Sequence, residues 1–328
     1  MKLTESEVLN EEEGSRKPLT ILVLTSDNPL GREVAHSLLE WGCCVKAIGT
    51  SERVLGTLKS RPNFQFHKFN LEKQTIIRSH LYGVDHVIFL DRDIKFFDKI
   101  GHLYQSLAHL KSKPPGLLFL SSSMVFSDLN PGVNRESSPL NPGNQQGFDF
   151  ATAEEIMASY SRNLQARVGI IRIPPIWDPV LVEEPFLKFL RLLRHHKFLS
   201  VIKEQPIYLQ WILIKDLTEL IQATLKSNWS GLEIFHCYSH GVNLFEAMDE
   251  ICSAIGSKSQ IKNISKIPQF VQTLLSDSQT LREGLETITQ WEDASFLHYP
   301  PIEMDQTLHL ISKPHIKIGA FIRALTKK

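Results

Sequence analysis

The side chains that could transfer a proton lie in the middle of the chain. Ser122 and Tyr160 carry hydroxyls, and Glu154 and Glu155 carry carboxylates, so both kinds of group used in general acid and base catalysis are present. A tyrosine works best in this role when a nearby cation lowers its pKa. The interval 114–187 contains no lysine, and Tyr160 is its only tyrosine. The stretch therefore offers acids and bases but lacks the lysine that would activate a tyrosine.

Histidines and cysteines show no spacing that is typical of a metal site. His195 and His196 are adjacent on a predicted helix, so they point to different faces and are more typical of a solvated basic surface. The four cysteines have neither zinc-like spacing nor the density of a secreted disulfide framework. We interpret them as reduced core thiols, at positions Cys43, Cys44, Cys237 and Cys252.

Strands and helices alternate through the first half of the chain, and this order must position any site. Short apolar runs are separated by stretches with helical periodicity. The apolar runs are LTILVLT, CVKAIGT, FQFHKFN, DHVIFL, GLLFLSSS and VGIIRI. Such alternation predicts an α/β fold with a doubly wound parallel sheet, in which ligands bind beyond the carboxyl ends of the strands. The turns after Leu24, Ile48, Leu90 and Leu120 are thus the expected site.

The second half has a different pattern and predicts a smaller, mostly helical lobe. We expect a disordered tail over residues 1–17, since it is acidic and has little periodic hydrophobicity. The predicted domains are a doubly wound α/β domain over 18–175 and a smaller lobe over 176–328. Within that lobe, residues 206–227 are predicted to return to the main sheet.

Composition excludes some classes of partner. The 328 residues include 36 basic and 36 acidic side chains, so the basic excess of a nucleic-acid-binding protein is absent. No apolar run reaches the roughly 18 residues that a membrane span needs, and the N-terminus resembles neither a signal nor a transit peptide. We expect a cytoplasmic protein without nucleic-acid or membrane partners.

Six segments, in the same order and at similar spacing, resemble the extended short-chain dehydrogenase/reductase family of sugar-nucleotide epimerases and dehydratases. The likeness covers residues 18 to 255. The segments are TILVLTSDNPLGREVAHSLLEWGCCVKAI, VDHVIFL, SSSMVFSD, RESSPLNP, IIRIPPIWDP and WILIKDLTELIQATL. The resemblance implies a Rossmann domain, an NAD or NADP cofactor and a nucleotide-sugar ligand.

The phosphate-binding turn departs from the family pattern. The resemblance places three glycines at the positions of Thr25, Asn28 and Gly31, and only Gly31 is present. Side chains therefore stand where the backbone should approach a pyrophosphate. The helix that follows could still offer backbone N–H groups to an anion, or Ser26 or Asp27 could cap it.

The ribose-binding positions depart as well. The family's acidic residue at the end of the second strand aligns with Gly49, and Arg53 follows four residues later. Arg53 could meet a 2′-phosphate, which would favour NADP over NAD, or it could be an exposed arginine at a helix start. Asn70 replaces the family's aspartate near adenine, and Leu90 ends the strand before the cofactor.

The family's catalytic residues are a tyrosine, a lysine four residues later, and a serine or threonine. The resemblance places these roles at Gln146, Phe150 and Ser122, so only the serine is retained. Glutamine does not act as a general acid or base at neutral pH, and phenylalanine carries no charge. Gly147 and Glu154 keep the family's residues in the same motif.

These losses predict a non-catalytic or weakly catalytic protein of this fold. Such a pseudoenzyme would bind a dinucleotide, a nucleotide-sugar or a protein partner in a regulatory or scaffolding role, and the resemblance implies a homodimer. The alternative is an active NAD(P)-dependent epimerase, dehydratase or reductase that uses Ser122 or Tyr160 with Glu154 or Glu155. A purely structural interaction module is the third reading.

Overall fold

A computed structural model describes most of the first 263 residues of the chain. The described residues are 17–24, 28–70, 78–91, 96–110, 113–126, 134–176, 178, 181, 198–201, 208–227, 229–238, 240–257 and 260–263. Residues 1–16 of the predicted tail, Thr25, Ser26, Asp27, His195 and His196 lie outside them.

The described elements follow the predicted alternation through the first half of the chain. The strands are β1 (Thr20–Leu24), β2 (Cys44–Gly49), β3 (Phe64–Lys68), β4 (His86–Phe89), β5 (Gly116–Ser122), β6 (Val168–Ile173), β7 (Phe198–Val201), β8 (Tyr208–Trp211), β9 (Leu232–His236), β10 (His240–Asn243) and β11 (Gln260–Asn263). The helices are α1 (Pro29–Glu40), α2 (Arg78–Leu81), α3 (Phe96–Ala108), α4 (Gln145–Leu164), α5 (Ile214–Lys226) and α6 (Leu244–Ile255), with 3₁₀ segments at Arg53–Ser60 and Ser123–Val125.

Seven strands form one sheet in the order β3-β2-β1-β4-β5-β6-β9. The pairs β1–β2, β2–β3, β1–β4 and β4–β5 are parallel. β4, β5 and β6 are buried along their whole length, as expected for strands covered on both faces. The predicted doubly wound α/β fold is confirmed, and the chain order reverses between β1 and β4.

Helices α1 and α5 are amphipathic and bury one face. In α1 the buried residues include Ala35, Leu38 and Leu39, and in α5 they include Leu217, Leu220 and Ile221. This i, i+3, i+4 spacing is typical of helices that pack on a sheet. Among the helices that the structure describes, none is long and apolar enough to cross a membrane.

Residues 206–227 differ from the prediction. β8 pairs antiparallel with β10 in a separate two-stranded sheet, and the strand that joins the seven-stranded sheet is β9. An apolar run such as PIYLQWILI indicates a buried strand but does not specify its partner, which is why the sequence placed it in the wrong sheet. β7 and β11 form a second small sheet, in which they are parallel.

The chain divides into two compact units, each made of several stretches. The first unit comprises the described residues of Met1–Leu120, Ile156–Gly169 and Trp229–Leu232, and the second those of Ser121–Glu155, Ile170–Asn228 and Glu233–Lys328. The first unit therefore contains β1 to β4. The second contains Ser122, Gln146 and Phe150.

Candidate functional site

Asn28 caps the helix that follows the predicted phosphate turn. Its backbone is extended, and its side-chain Oδ1 accepts a hydrogen bond of 2.7 Å from the Gly31 backbone N–H. The prediction that Ser26 or Asp27 caps this helix was therefore wrong. Pro29 occupies the first position of α1, which is the position where proline is favoured and which fixes Asn28 as the cap.

This cap leaves few backbone N–H groups at the start of α1 that could bind an anion. Of the first three residues of α1, Pro29 has no N–H and Gly31 donates to Asn28. Only Leu30 is left among these three to donate to a phosphate. A helix N-terminus binds phosphate through its unused N–H groups, so this terminus is a poorer anion site than a glycine turn would give.

Among the described residues directly after β2 and β3, 50–53 and 69–70, the one carboxylate is Glu52, which is exposed and paired with a lysine. Arg53 is exposed at the start of its 3₁₀ segment, and its backbone N–H donates to Ser51 Oγ at 3.3 Å. The neighbouring Glu52 pairs with Lys59 at 2.7 Å, in an exposed ion pair. Asn70 is half-buried just after β3.

An ion pair lies directly after β4, next to Leu90, which the resemblance places at the end of the strand before the cofactor. Leu90 is buried and so is the next residue, Asp91, whose carboxylate binds the ammonium of Lys99 on α3. The side chains of Asp91 and Lys99 are only 7% and 13% exposed. The signal in the sequence was a run of charged residues, DRD, immediately after a buried apolar strand.

In the second unit, Ser122 and the start of α4 are linked through Met124. Ser122 is fully buried, and its Oγ accepts a hydrogen bond of 3.2 Å from the Met124 N–H. Gly147 packs so tightly that a Cβ there would lie 2.1 Å from the Met124 carbonyl oxygen. Gln146 precedes Gly147 and is half-buried. Phe150 is completely buried one turn later on α4.

Glu154 is held in a buried ion pair. Its two carboxylate oxygens accept hydrogen bonds from Arg172 on β6, with Nη2 to Oε2 at 2.8 Å and Nε to Oε1 at 3.0 Å. Ser121 at the end of β5 donates to Oε1 at 2.5 Å. Both carboxylate oxygens of Glu154 are therefore engaged, and the bidentate pair fixes the side chain in place.

Arg172 extends this network to the polar loop and to β9. Its Nη1 donates to the Glu136 carbonyl at 3.2 Å and lies 3.4 Å from His236 Nε2. Glu136 Oε1 accepts from the His236 backbone N–H at 3.0 Å. The Arg172 guanidinium also lies 5.1 Å from the centre of the Phe126 ring. These contacts connect four separate chain segments in the second unit, and no local pattern in the sequence indicated them.

Tyr160, the other hydroxyl considered for catalysis, lies in the first unit. Its side chain is 1% exposed, and its hydroxyl donates to the Pro115 carbonyl at 3.4 Å. Burial raises the pKa of Tyr160 above its usual value. A catalytic tyrosine needs the opposite shift. Glu155 is exposed on α4.

All four cysteines lie among the described residues, as thiols. Cys43, Cys237 and Cys252 are buried and Cys44 is half-buried. Burial raises the pKa of the Cys237 and Cys252 thiols, with a smaller contribution in each case from a nearby aspartate. Thiols of this kind are unreactive packing groups.

No protein-family model matches the chain, and no curated protein is similar to it in sequence. Solved structures are similar in fold over almost the whole length. One is a dTDP-glucose 4,6-dehydratase from Bacillus anthracis str. Ames in complex with NAD, with a TM-score of 0.69 at 15% identity over 94% of this chain and 96% of that chain. A dTDP-glucose 4,6-dehydratase from Streptomyces venezuelae, with NAD bound, has a TM-score of 0.69 at 14% identity over 94% and 97%.

A UDP-glucuronic acid 4-epimerase from Bacillus cereus, in complex with UDP-glucuronic acid and NAD, gives a TM-score of 0.61 at 17% identity. That similarity covers 83% of this chain and 98% of the other. The resemblance to NAD-dependent epimerases and dehydratases is thereby confirmed at the level of the fold. At these identities the likeness does not extend to individual site residues, which have to be judged by their own chemistry.

Proposed function

We propose that this chain is a non-catalytic protein of the epimerase and dehydratase fold, with a regulatory or scaffolding role. One observation carries the proposal: a fully buried phenylalanine, Phe150, occupies the position that the sequence resemblance gives to the essential lysine. No lysine elsewhere in the interval 114–187 can replace it. Gln146 at the tyrosine position cannot transfer a proton at neutral pH, and losing one such group typically lowers the rate about 10²- to 10⁴-fold.

The cofactor turn supports the same proposal. The residues there fit a dinucleotide pyrophosphate poorly, because Asn28 occupies the Gly31 N–H and Pro29 supplies none. Asp91 adds a carboxylate at the end of β4. We propose that NAD or NADP binds weakly or not at all, and that Arg53 is an exposed surface arginine.

The class of ligand to test first is a nucleotide or nucleotide-sugar. The solved UDP-glucuronic acid 4-epimerase holds such a ligand together with NAD, and this chain shares its fold. A protein partner, including a second copy of the chain, would suit a scaffolding role. We also propose a cytoplasmic location, and the balanced charge argues against a nucleic-acid partner.

The alternative is an active NAD(P)-dependent epimerase, dehydratase or reductase. It is favoured by the extent of the fold likeness, which covers 94% of the chain in two dehydratases. It would need another acid, and the hydroxyl of Tyr160 is buried on the Pro115 carbonyl. Glu154 is likewise engaged by Arg172 and Ser121.

Two measurements on the purified full-length chain separate these functions. Thermal melting with NAD, NADP, UDP-glucose or dTDP-glucose should show stabilisation by a nucleotide-sugar and little by either dinucleotide. The NADH absorbance of the same mixtures should show no turnover above the uncatalysed rate. Hydride transfer at an ordinary enzyme rate of about 1 s⁻¹ or more would contradict the proposal and support the alternative.

A further inference from the structure

Three basic side chains of the first unit meet near the β3 edge of the main sheet. Lys46 of β2 pairs with Gln65 of β3 in a parallel register, and His67 follows Gln65 by two residues, so Lys46 and His67 lie on the same face of the sheet. His80 of α2 packs against His67 there, with 4.3 Å between the ring centres. We call Lys46, His67 and His80 the basic cluster. Its members come from three elements, so the fold and not a local motif brings them together.

The basic cluster has hydrogen-bond donors to offer to a ligand. All three residues are half-buried, so solvent still reaches them. The Lys46 ammonium has three N–H groups, and one of them donates to the Tyr82 carbonyl at 2.9 Å. Each imidazole has one N–H when it is neutral and two when it is protonated. Among the described residues, His67 and His80 make ring contacts but have no hydrogen-bond partner.

No acid balances the basic cluster in the part of the chain that the structure describes, since no carboxylate there pairs with any of its three groups. Burial lowers the pKa of Lys46, His67 and His80. Neighbouring positive charges lower the histidine pKa values further: that of Lys46 acts on His67, and those of His67 and Lys46 act on His80. Like charges this close disfavour one another, and an anion bound among them would remove that penalty.

We propose that the basic cluster is a binding site for the phosphate group of a small molecule. A tetrahedral anion accepts several hydrogen bonds at once, and those from ammonium and imidazolium groups are strong because they are charge-assisted. Two imidazoles could also ligate a metal ion, but the Lys46 charge opposes a second cation. None of the three residues is at a position that the resemblance assigns to the cofactor or to catalysis. The site therefore goes beyond the proposed function and does not rest on it.

Calorimetric titration of the full-length chain with sulfate tests the proposal, because sulfate has the shape of phosphate and keeps its charge from pH 6 to pH 8. An anion raises the pKa of the two imidazoles when it binds, so binding takes up protons and becomes tighter as the pH falls. We expect the affinity for sulfate to rise about fivefold or more from pH 8 to pH 6. Added sodium chloride should weaken it. An affinity that does not change with pH would overturn the proposal.

His80→Gln removes one titrating group and keeps a polar side chain of similar size. We expect its affinity for sulfate at pH 6 to fall about fivefold or more, with a flatter dependence on pH. His109→Gln makes the same change at an exposed histidine of the first unit and should leave both unchanged. Equal losses in the two variants would overturn the proposal.

A second pair of variants tests the lysine. Lys46→Met should weaken sulfate binding about fivefold or more at both pH values. Lys68→Met is its matched control, because Lys68 directly follows His67 in β3 and so lies on the opposite face, where it is exposed. It loses the same charge, and we expect its affinity to stay within about twofold. An equal loss in Lys68→Met would overturn a site specific to this face.

Measurements on the unchanged protein decide the matter if the variants do not fold. Titrations in two buffers of different ionisation enthalpy report the protons taken up with sulfate, and no uptake at pH 6.5 would overturn the proposal. Inorganic phosphate, AMP and adenosine then identify the source of the phosphate group. Competition with sulfate by AMP but not adenosine indicates a nucleotide, and competition by inorganic phosphate alone indicates the free anion. Binding of Ni²⁺ or Zn²⁺ without any binding of sulfate would overturn the proposal in favour of a metal site. Hydride transfer bears on the proposed function alone, because it is read by NADH absorbance.

Discussion

Phe150 and Phe148 lie on the same helix but differ in burial, and this difference determines what a restored lysine would do. Phe150 is fully buried, whereas Phe148 is 54% exposed. Replacing Phe150 with lysine would remove core packing and bury an ammonium. We expect Phe150→Lys to lower the free energy of unfolding by about 3 kcal/mol or more, measured by urea denaturation.

Phe148→Lys is the control, with an expected change within about 0.5 kcal/mol. The double variant Gln146→Tyr with Phe150→Lys should show no hydride transfer, because the cofactor turn is unchanged. Appearance of NAD-dependent turnover in the double variant would mean that only these two residues had been lost.

The Glu154–Arg172 pair is a second residue-scale feature with a measurable consequence. Both side chains are almost fully buried, so removing one leaves the other charge without its partner. We expect Glu154→Gln and Arg172→Met each to reduce stability by about 3 to 5 kcal/mol. The double variant Glu154→Leu with Arg172→Met should lose less than the sum of the two, because it leaves no buried charge.

An exposed pair gives the comparison. Lys215 and Glu219 lie 3.7 Å apart on α5 with side chains 81% and 44% exposed. Lys215→Met should change stability by less than about 0.5 kcal/mol. Similar reductions in the free energy of unfolding for Lys215→Met and Arg172→Met would show that the buried pair stabilises the fold no more than an exposed pair does.

At the scale of elements, the start of α4 is positioned by a glycine. Asn144 caps α4 by accepting from the Gly147 N–H at 2.8 Å, and Gly147 faces the Met124 backbone. A Cβ at this position would lie 2.1 Å from Met124 O and 2.9 Å from Pro142 Cβ. The Met124 backbone cannot move away from the added methyl group as a flexible side chain could. We expect Gly147→Ala to lower the free energy of unfolding by about 2 kcal/mol or more.

Gly101 of α3 offers the same substitution without the contact. A Cβ there would meet nothing within 4 Å. Gly101→Ala should therefore leave stability unchanged or raise it by up to about 1 kcal/mol, since alanine is the better helix former. A change for Gly147→Ala as small as that for Gly101→Ala, by thermal melting, would mean that α4 shifts to accommodate the methyl group.

The central strands of the main sheet could be predicted because they are buried on both faces. β1, β4, β5 and β6 read as continuous apolar runs, and the intervening helices have clear periodicity. The partner of β8 could not be predicted, since hydrophobicity indicates burial but not pairing. The cap of α1 was misassigned among three consecutive residues that all favour capping, although Pro29 was a usable signal for Asn28.

At the scale of the whole molecule, the sequence showed which family residues are missing but did not reveal the buried ion pairs. The absence of lysine from the interval 114–187 is independent of any alignment. The Asp91–Lys99 and Glu154–Arg172 pairs join residues 8 and 18 positions apart on different elements. Such pairs arise from how strands and helices meet, so no local pattern reveals them. The fold has thus retained interior charges that organise it, without the charges that the sequence resemblance assigns to catalysis.

His86 is another buried polar residue, and its protonation should make the stability of the protein depend on pH. It is 2% exposed on β4 and stands opposite Gly116 of β5, where an added Cβ would lie 2.5 Å from its Nδ1. Burial, with a contribution from Arg167, lowers the pKa of His86 to about 4. The folded protein therefore keeps this imidazole neutral, and the close packing against Gly116 leaves little room for the ring to move.

The pH dependence follows from that lowered pKa. Above pH 6.5 His86 is neutral in both the folded and unfolded chains and carries no penalty. As the pH falls from 6.5 towards 4, the unfolded chain binds the proton first, so stability declines by up to about 3 kcal/mol. The stability difference between wild type and His86→Gln should shrink over this window, because only the wild type loses stability through His86. The other titrating groups are the same in both proteins, so their effects cancel in the difference. The exposed His109→Gln, measured in parallel, reports any change common to losing a histidine. A difference for His86→Gln that is constant from pH 7 to pH 4 would mean that the β4–β5 pair opens enough to hydrate the imidazolium.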